Sequence, residues 1–321
     1  MKLATLDNAT PDGRLHVVSR DLSRSAPAQA VTTMQALIES WDTYAPALQA
    51  EYEALDAVGG QPFNPAKALA PLPRAWQWLD GSAYESHGTL MAKVFGIDNH
   101  ADKERPLMYQ GLSDHFLAPS ADVPLPTEDD GIDFEGEFGV ICDAVPMGTD
   151  AATARGHIRL LVQINDWSLR AVAPIEMRTG FGWVQAKPAC SMAPVAVTPD
   201  ELGDAWRDAR IDLPLVVDWN DERFGAAGGY DMGFGFDQLV AHAARTRKLV
   251  AGTVIGSGTV SNENYREIGS SCIAERRGIE MLDEGAARTG FMRFGDRVRM
   301  ECRMADGTPL FGAIDQQVVK G

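Results

Sequence analysis

Cysteine is scarce in this chain of 321 residues: Cys142, Cys190, Cys272 and Cys302 lie far apart, and no Cys-x-x-Cys pair occurs. That spacing argues against a disulfide framework and reads as reduced thiols of a cytoplasmic protein. Long apolar runs are missing too: no stretch of about 18 apolar residues is present, and Met1 to Asn8 runs into polar turn residues with no apolar signal core. No membrane partner and a cytoplasmic location are therefore expected. Positive charge is in deficit, with 29 Lys and Arg against 45 Asp and Glu and a net charge of −16. No basic stripe offers itself to a phosphate backbone, so nucleic acid is not an expected partner. Internal repeats, low-complexity runs and a dinucleotide fingerprint are absent as well.

What remains is a chain that is 45% hydrophobic and 23% charged, long enough to bury a large core. Lys2-Leu-Ala-Thr-Leu, a turn at Asn8 to Gly13 and Leu15-His-Val-Val-Ser read as a hairpin. Met34, Leu37, Ile38, Trp41, Tyr44 and Leu48 have helical spacing across residues 33 to 55. Paired glycines and Pro62, Pro65, Pro71 and Pro73 then mark a linker near residues 59 to 73, which predicts a small α+β unit over residues 1–72 and a larger one over 73–321. The larger unit reads as β-rich α+β, with strands at residues 136–142, 159–165, 213–219 and 298–304, an amphipathic helix at 236–248 and an Asp306-Gly307 hairpin turn. Regular strand and helix alternation, which a doubly wound sheet requires, is not seen.

Acidic residues inside apolar strand-like phrases are the main chemical signal. Glu135 and Glu137 occur in Asp133-Phe-Glu-Gly-Glu-Phe-Gly-Val, and Asp166 in Gln163-Ile-Asn-Asp-Trp-Ser-Leu-Arg. An unpaired carboxylate is expensive to desolvate, so a positive partner is required, and a hard divalent cation supplies one. Residues two apart in a strand share a face, so Glu135 and Glu137 can form half of an oxygen-ligand site suited to Mg²⁺, Mn²⁺ or Ca²⁺. Taken alone, the same pair equally suits a solvated strand face, and Asp166 a turn or a helix cap. Gly256-Ser-Gly-Thr-Val-Ser lacks the following Gly-Lys-Ser/Thr of a phosphate loop and reads as a tight turn lining a pocket. The seven tryptophans read as core or interface anchors, with no chemistry assigned to them.

The order of Asp80-Gly-Ser-Ala-Tyr-Glu-Ser-His87, Phe134-Glu-Gly-Glu-Phe, Asn165-Asp-Trp-Ser-Leu-Arg, Lys187 and Gly256-Ser-Gly-Thr-Val-Ser resembles the fumarylacetoacetate hydrolase family across residues 75 to 320. The resemblance implies a β-rich mixed-sheet roll, preceded by the small amino-terminal domain of the longer members, and a homodimer. It implies metal ligands at Asp80, Glu135, Glu137 and Asp166, with Mg²⁺ first among the candidate ions. It further implies a catalytic His87 seven residues after Asp80, its carboxylate partner at Glu275, a catalytic Lys187, and substrate contacts from Arg170, Tyr109 and Thr259. Three positions depart from the family pattern: Ser82 stands where a Tyr is expected, Leu112 for an Arg, and Ala173 for a Gln.

The residue types make chemical sense of that assignment. A 1,3-dioxo acid offers two oxygens to a Lewis-acidic cation, and a His oriented by a carboxylate can take a proton from water and return it. Lys187 and Arg170 would stabilise charge developing on oxygen. The expected activity is metal-dependent hydrolysis of a carbon-carbon bond in fumarylacetoacetate or an acylpyruvate. Isomerisation, hydration or decarboxylation of a 2-oxo-dienoic acid is the alternative, and a non-catalytic metal-binding protein is a third reading.

Overall fold

In the computed structural model, which describes residues 1–95 and 105–321, the buried apolar runs become the central strands. Gly136–Cys142 is buried at all seven positions, as a strand covered on both faces must be. Its antiparallel neighbour Ile158–Asn165 splits its side chains by alternation: Leu160, Val162 and Ile164 enter one core, and Leu161 enters the other.

Those two strands sit inside an eleven-stranded sheet. On one side Val195–Val197 pairs with Ile158–Asn165 and then with Lys2–Leu6, followed outward by Arg14–Val18, Arg24–Pro27 and the short Gln61–Pro62. On the other side come Thr253–Gly256, Gln77–Ser82 and the edge strand Leu107–Gly111. The pairing of Thr253–Gly256 with Gln77–Ser82 is parallel, which makes the sheet mixed. A second sheet of five strands carries the long hairpin of Arg297–Arg303 and Pro309–Lys320, turned at Asp306 and Gly307, with Pro214–Trp219 beside it. Its Leu215, Val217, Val298 and Ile314 pack with Phe138, Val140 and Leu161 of the larger sheet.

The opposite face of the large sheet is covered by helices. Met34, Leu37 and Ile38 of helix Met34–Glu39 and Leu48, Tyr52 and Leu55 of helix Trp41–Val58 share a core with Leu3, Leu15, Trp78, Ile141 and Val254. The first strands therefore extend the same sheet and share this core with the later ones. The helical stretch expected over residues 33 to 55 is two helices, because Ser40 leaves helical geometry at φ −137° and ψ 45°. The helix expected to reach residue 248 ends at Ala243; beyond it Arg245, Arg247 and Lys248 are exposed, and their like charges disfavour another turn. Among the described residues, no helix is long and apolar enough to cross a membrane.

Candidate active site

Backbone pairing places three acids together. Asp80 lies in Gln77–Ser82, flanked in register by Gly256 and Tyr109. Glu137 lies opposite Ile164, and Asp166 follows Asn165 at the end of that same strand. One carboxylate oxygen from each of Asp80, Glu137 and Asp166 lies within 4.8 Å of the other two. All three side chains are buried. Close packing behind Asp80 requires glycine, since a Cβ on Gly256 would stand 2.3 Å from Asp80 Oδ1 and 2.3 Å from Trp78 Cη2. The turn beyond adopts φ +77° at Gly258, whose N–H donates to Asp80 Oδ1 at 3.2 Å.

The acids differ sharply in their compensation. Asp166 Oδ2 accepts from Lys187 Nζ at 2.5 Å and from the Tyr109 hydroxyl at 2.6 Å, while its Oδ1 accepts from Cys190 Sγ at 2.8 Å. Among the described residues no donor reaches either oxygen of Glu137. Burial, with the charges of Asp80 and Asp166 added, pushes the Glu137 carboxyl well above the usual carboxylate range. Burial and Asp166 do the same to Asp80, with Lys187 opposing. Two desolvated acids, one with a single backbone donor and one with none among the described residues, beside a third, make a pocket short of positive charge.

Glu135 stands apart from this triad. Its Oε1 accepts from Ser168 at 2.6 Å and from Lys187 at 2.9 Å, and its Oε2 accepts from Thr259 at 2.6 Å. Burial alone would raise its pKa, but Lys187 and Arg170 outweigh burial and hold the carboxyl well below the ordinary range. Lys187 is shifted the opposite way: burial lowers its pKa, and Asp166 and Glu135 more than restore it, so the ammonium stays charged. Arg170 turns inward, its Nε donating to Asp133 Oδ2 at 2.8 Å. Its terminal nitrogen is 2.7 Å from Glu135 Oε1, an ion pair without hydrogen-bond alignment.

His87 and Glu275 come from two packed helices, Glu85–Phe95 and Ile273–Glu284. The helices pack closely at Gly278, where a Cβ would stand 2.8 Å from Met91 Cε and 3.1 Å from Val94 Cγ2. His87 Nδ1 lies 3.6 Å from Glu275 Oε1, close but beyond a hydrogen bond. Glu275 is wholly buried, and its Oε1 accepts from Ser261 Oγ at 2.5 Å, with Ser86 Oγ donating to Ser261 Oγ at 2.9 Å.

Residues 77–319 match the family model described as fumarylacetoacetate hydrolase C-terminal, and residues 1–74 match fumarylacetoacetase N-terminal domain 2. The chain belongs to the fumarylacetoacetate hydrolase family. Among solved structures it is similar to a maleylpyruvate hydrolase from Sphingobium sp. SYK-6 in complex with manganese(II) and pyruvate, with TM-score 0.66, 18% identity and all of both chains covered. It is also similar to a fumarylacetoacetate hydrolase from Exiguobacterium antarcticum, with TM-score 0.64, 16% identity and the same coverage. Both likenesses show the shared fold.

Curated relatives include a 2,4-didehydro-3-deoxy-L-rhamnonate hydrolase from Sphingomonas sp. strain SKA58, 26% identical over 54% of this chain and 61% of the relative. A mitochondrial oxaloacetate tautomerase from Homo sapiens is 23% identical over 49% of this chain and 48% of the relative. The chain thus spans 61% and 48% of the length of these two relatives. Within this member of the fumarylacetoacetate hydrolase family, several supporting side chains carried no role in the sequence reading. Ser168 and Cys190 hold the acids directly, and Asp133 holds Arg170. Ser168 lies within the Asn-Asp-x-Ser phrase that announced Asp166; Cys190 and Asp133 had no signal of their own.

Proposed function

We propose that the protein is a divalent-metal-dependent hydrolase that cleaves a carbon-carbon bond in a 1,3-dioxo acid such as fumarylacetoacetate or an acylpyruvate. The observation that carries this reading is His87 lying 3.6 Å from the buried Glu275 in a chain that also gathers three buried acids within 4.8 Å. The partnerless oxygens of Glu137 and the all-oxygen donor set fit a hard cation. Asp80, Glu137 and Asp166 would hold it, with Mg²⁺ as the first candidate and Mn²⁺ or Ca²⁺ also suited. When bound, such an ion acts as a Lewis acid on a carbonyl oxygen. Glu135, named with these ligands from sequence, serves in this reading as the anchor of Lys187 and Arg170.

The side chains then divide the work. His87 Nδ1 faces Glu275, which leaves Nε2 to take a proton from water, and the buried carboxylate steadies the resulting imidazolium. The hydroxide adds to the distal carbonyl carbon, the bond between that carbon and the methylene breaks, and His87 returns its proton to the methylene carbon. A carboxylic acid leaves together with a 2-oxo acid from an acylpyruvate, or with a 3-oxo acid from fumarylacetoacetate. Lys187, with two N–H groups committed to Glu135 and Asp166, has its third for a substrate oxygen, where it stabilises developing negative charge. Tyr109 and Thr259 reach substrate in this assignment from positions beside Asp166 and Glu135, and Arg170 acts through Glu135. Ser82, Leu112 and Ala173 would shape the preference for the acyl group. A cytoplasmic homodimer is the assembly we assign.

Ultraviolet absorbance of acylpyruvates and fumarylacetoacetate, followed with Mg²⁺, with chelator and with His87→Ala, tests the assignment. Loss of the dioxo chromophore that requires both metal and His87 supports it. Metal-dependent turnover that survives His87→Ala assigns the protein to isomerase, hydratase or decarboxylase chemistry, in line with the tautomerase named among its relatives. No turnover of any dioxo acid leaves a metal-binding protein.

A further inference from the structure

Residues 176 to 186 form a closed loop tied by one carboxylate. Glu176 accepts from the backbone N–H groups of Val184 at 3.1 Å, Gln185 at 3.0 Å and Ala186 at 3.0 Å. Those three bonds hold its carboxyl below the usual range. Gly180 and Gly182, at φ +71° and +99°, make the reversal possible, and Ala186 C=O accepts from Leu169 N–H at 2.8 Å to fasten the loop to the Asp166 segment. The loop is the outer layer over the site: Phe181 is 98% exposed and Val184 83%, whereas Lys187 beneath is 5% exposed.

One loop residue points inward. Trp183 is half-buried, its ring centroid 4.9 Å from that of Tyr109 at an interplanar angle of 48°. Lys187 Nζ lies 5.3 Å from the Trp183 centroid and 5.5 Å from the Tyr109 centroid. The ammonium thus has carboxylates on one side and two aromatic faces on the other, a geometry in which ring quadrupoles stabilise the cation and keep water from it. Both rings therefore border the ammonium.

We propose that Trp183 is a ligand-positioning residue: with Tyr109 it forms an aromatic lip against which a small 2-oxo carboxylate lies while bonding to Lys187, and Glu176 sets its place by clasping the loop. The proposal rests on the functional reading above, since it takes the Lys187 end of the site as the substrate end. It adds a specificity element that neither the acids nor the His87–Glu275 pair supplies.

The test is binding of oxalate, an optically silent dicarboxylate with adjacent oxygens, to the Mn²⁺-loaded full-length protein, read by tryptophan fluorescence and by calorimetry. In the wild type, oxalate should change the emission. Trp183→Phe should lose most of that signal while keeping affinity within about threefold, because a ring face over the Lys187 ammonium remains to hold it in place. Trp183→Leu should weaken oxalate about tenfold, and Glu176→Gln by an intermediate factor, both with unchanged Mn²⁺ affinity. An unchanged signal in Trp183→Phe, or wild-type oxalate affinity in Trp183→Leu, overturns the proposal while leaving hydrolysis untouched. Wild-type protein that binds oxalate as described yet turns over no dioxo acid sinks the hydrolase reading and keeps the lip. Absence of oxalate binding to the wild type overturns the lip and leaves the hydrolase reading to the absorbance assay.

Discussion

Lys187→Met tests how the site holds its charges. The ammonium is 2.9 Å from Glu135 Oε1 and 2.5 Å from Asp166 Oδ2, and the side chain is 4% exposed. At an effective dielectric of about 20, a pair 2.9 Å apart gains about 6 kcal/mol of Coulomb attraction. Much of that offsets the cost of taking both charges out of water, so the pair's net contribution is small, but removing one partner strands the other. Methionine matches the length of the stem and supplies no charge, which leaves Glu135 with Arg170 and, among the described residues, leaves the Asp166 carboxylate the side-chain donors Tyr109 and Cys190. The expected loss is about 3–5 kcal/mol, read as the shift in urea unfolding with chelator present at neutral pH. Glu135→Gln and the double variant complete a cycle, and a coupling of about 2–3 kcal/mol is expected between the two sites. A loss under about 1 kcal/mol in Lys187→Met, or strict additivity in the double variant, would refute the picture of a desolvated, mutually dependent pair.

Two further outcomes follow from the packing and from one buried base. Gly256→Ala should cost at least about 1–3 kcal/mol and abolish Mn²⁺ binding, because the new methyl must displace Asp80 Oδ1 and the Trp78 ring; unfolding curves and a metal titration check both. Lys2 is buried with its ammonium on the carbonyls of Arg20 and Pro309, and burial pushes its pKa down to about 8 from 10.5. Between those values the unfolded chain binds more protons, so this residue makes stability rise with pH there, and its cost is present in full below about 8. The difference in unfolding free energy between wild type and Lys2→Met should therefore shift by about 1–3 kcal/mol from pH 7.5 to 10.5, the two carbonyl bonds tempering the upper figure; a flat difference would contradict it.

The sequence was most legible where local pattern and burial agree. Residues 136–142 form a strand at the expected boundaries because every position but Glu137 is apolar or small and all seven are buried. The Asp306-Gly307 turn follows from a glycine that adopts φ +87°. Glu137 and Asp166 were readable as acids placed where water is scarce, Asp80 only through the family resemblance, and the fold brings the three within 4.8 Å. The commitment of Glu135 was not readable, because it depends on Ser168, Lys187, Arg170 and Thr259, which arrive from three separate segments. The pairing of Lys2–Leu6 with Val195–Val197 was equally hidden, since register between strands so far apart in sequence leaves no local periodicity.

That last pairing has a bearing on how the chain can be cut or recombined. Separating residues 1–74 from residues 77–319, the two stretches matched by different family models, would unzip a sheet in mid-course. The larger fragment would present the bare edge of Val195–Val197 and an uncovered apolar surface at Leu160, Val162 and Ile164, a template for sticking to other chains. The leading segment works less like a detachable cap than like the other half of a clasp, so a graft that keeps the acid cluster and the His87–Glu275 pair but changes the first seventy or so residues must also keep the complement to that edge.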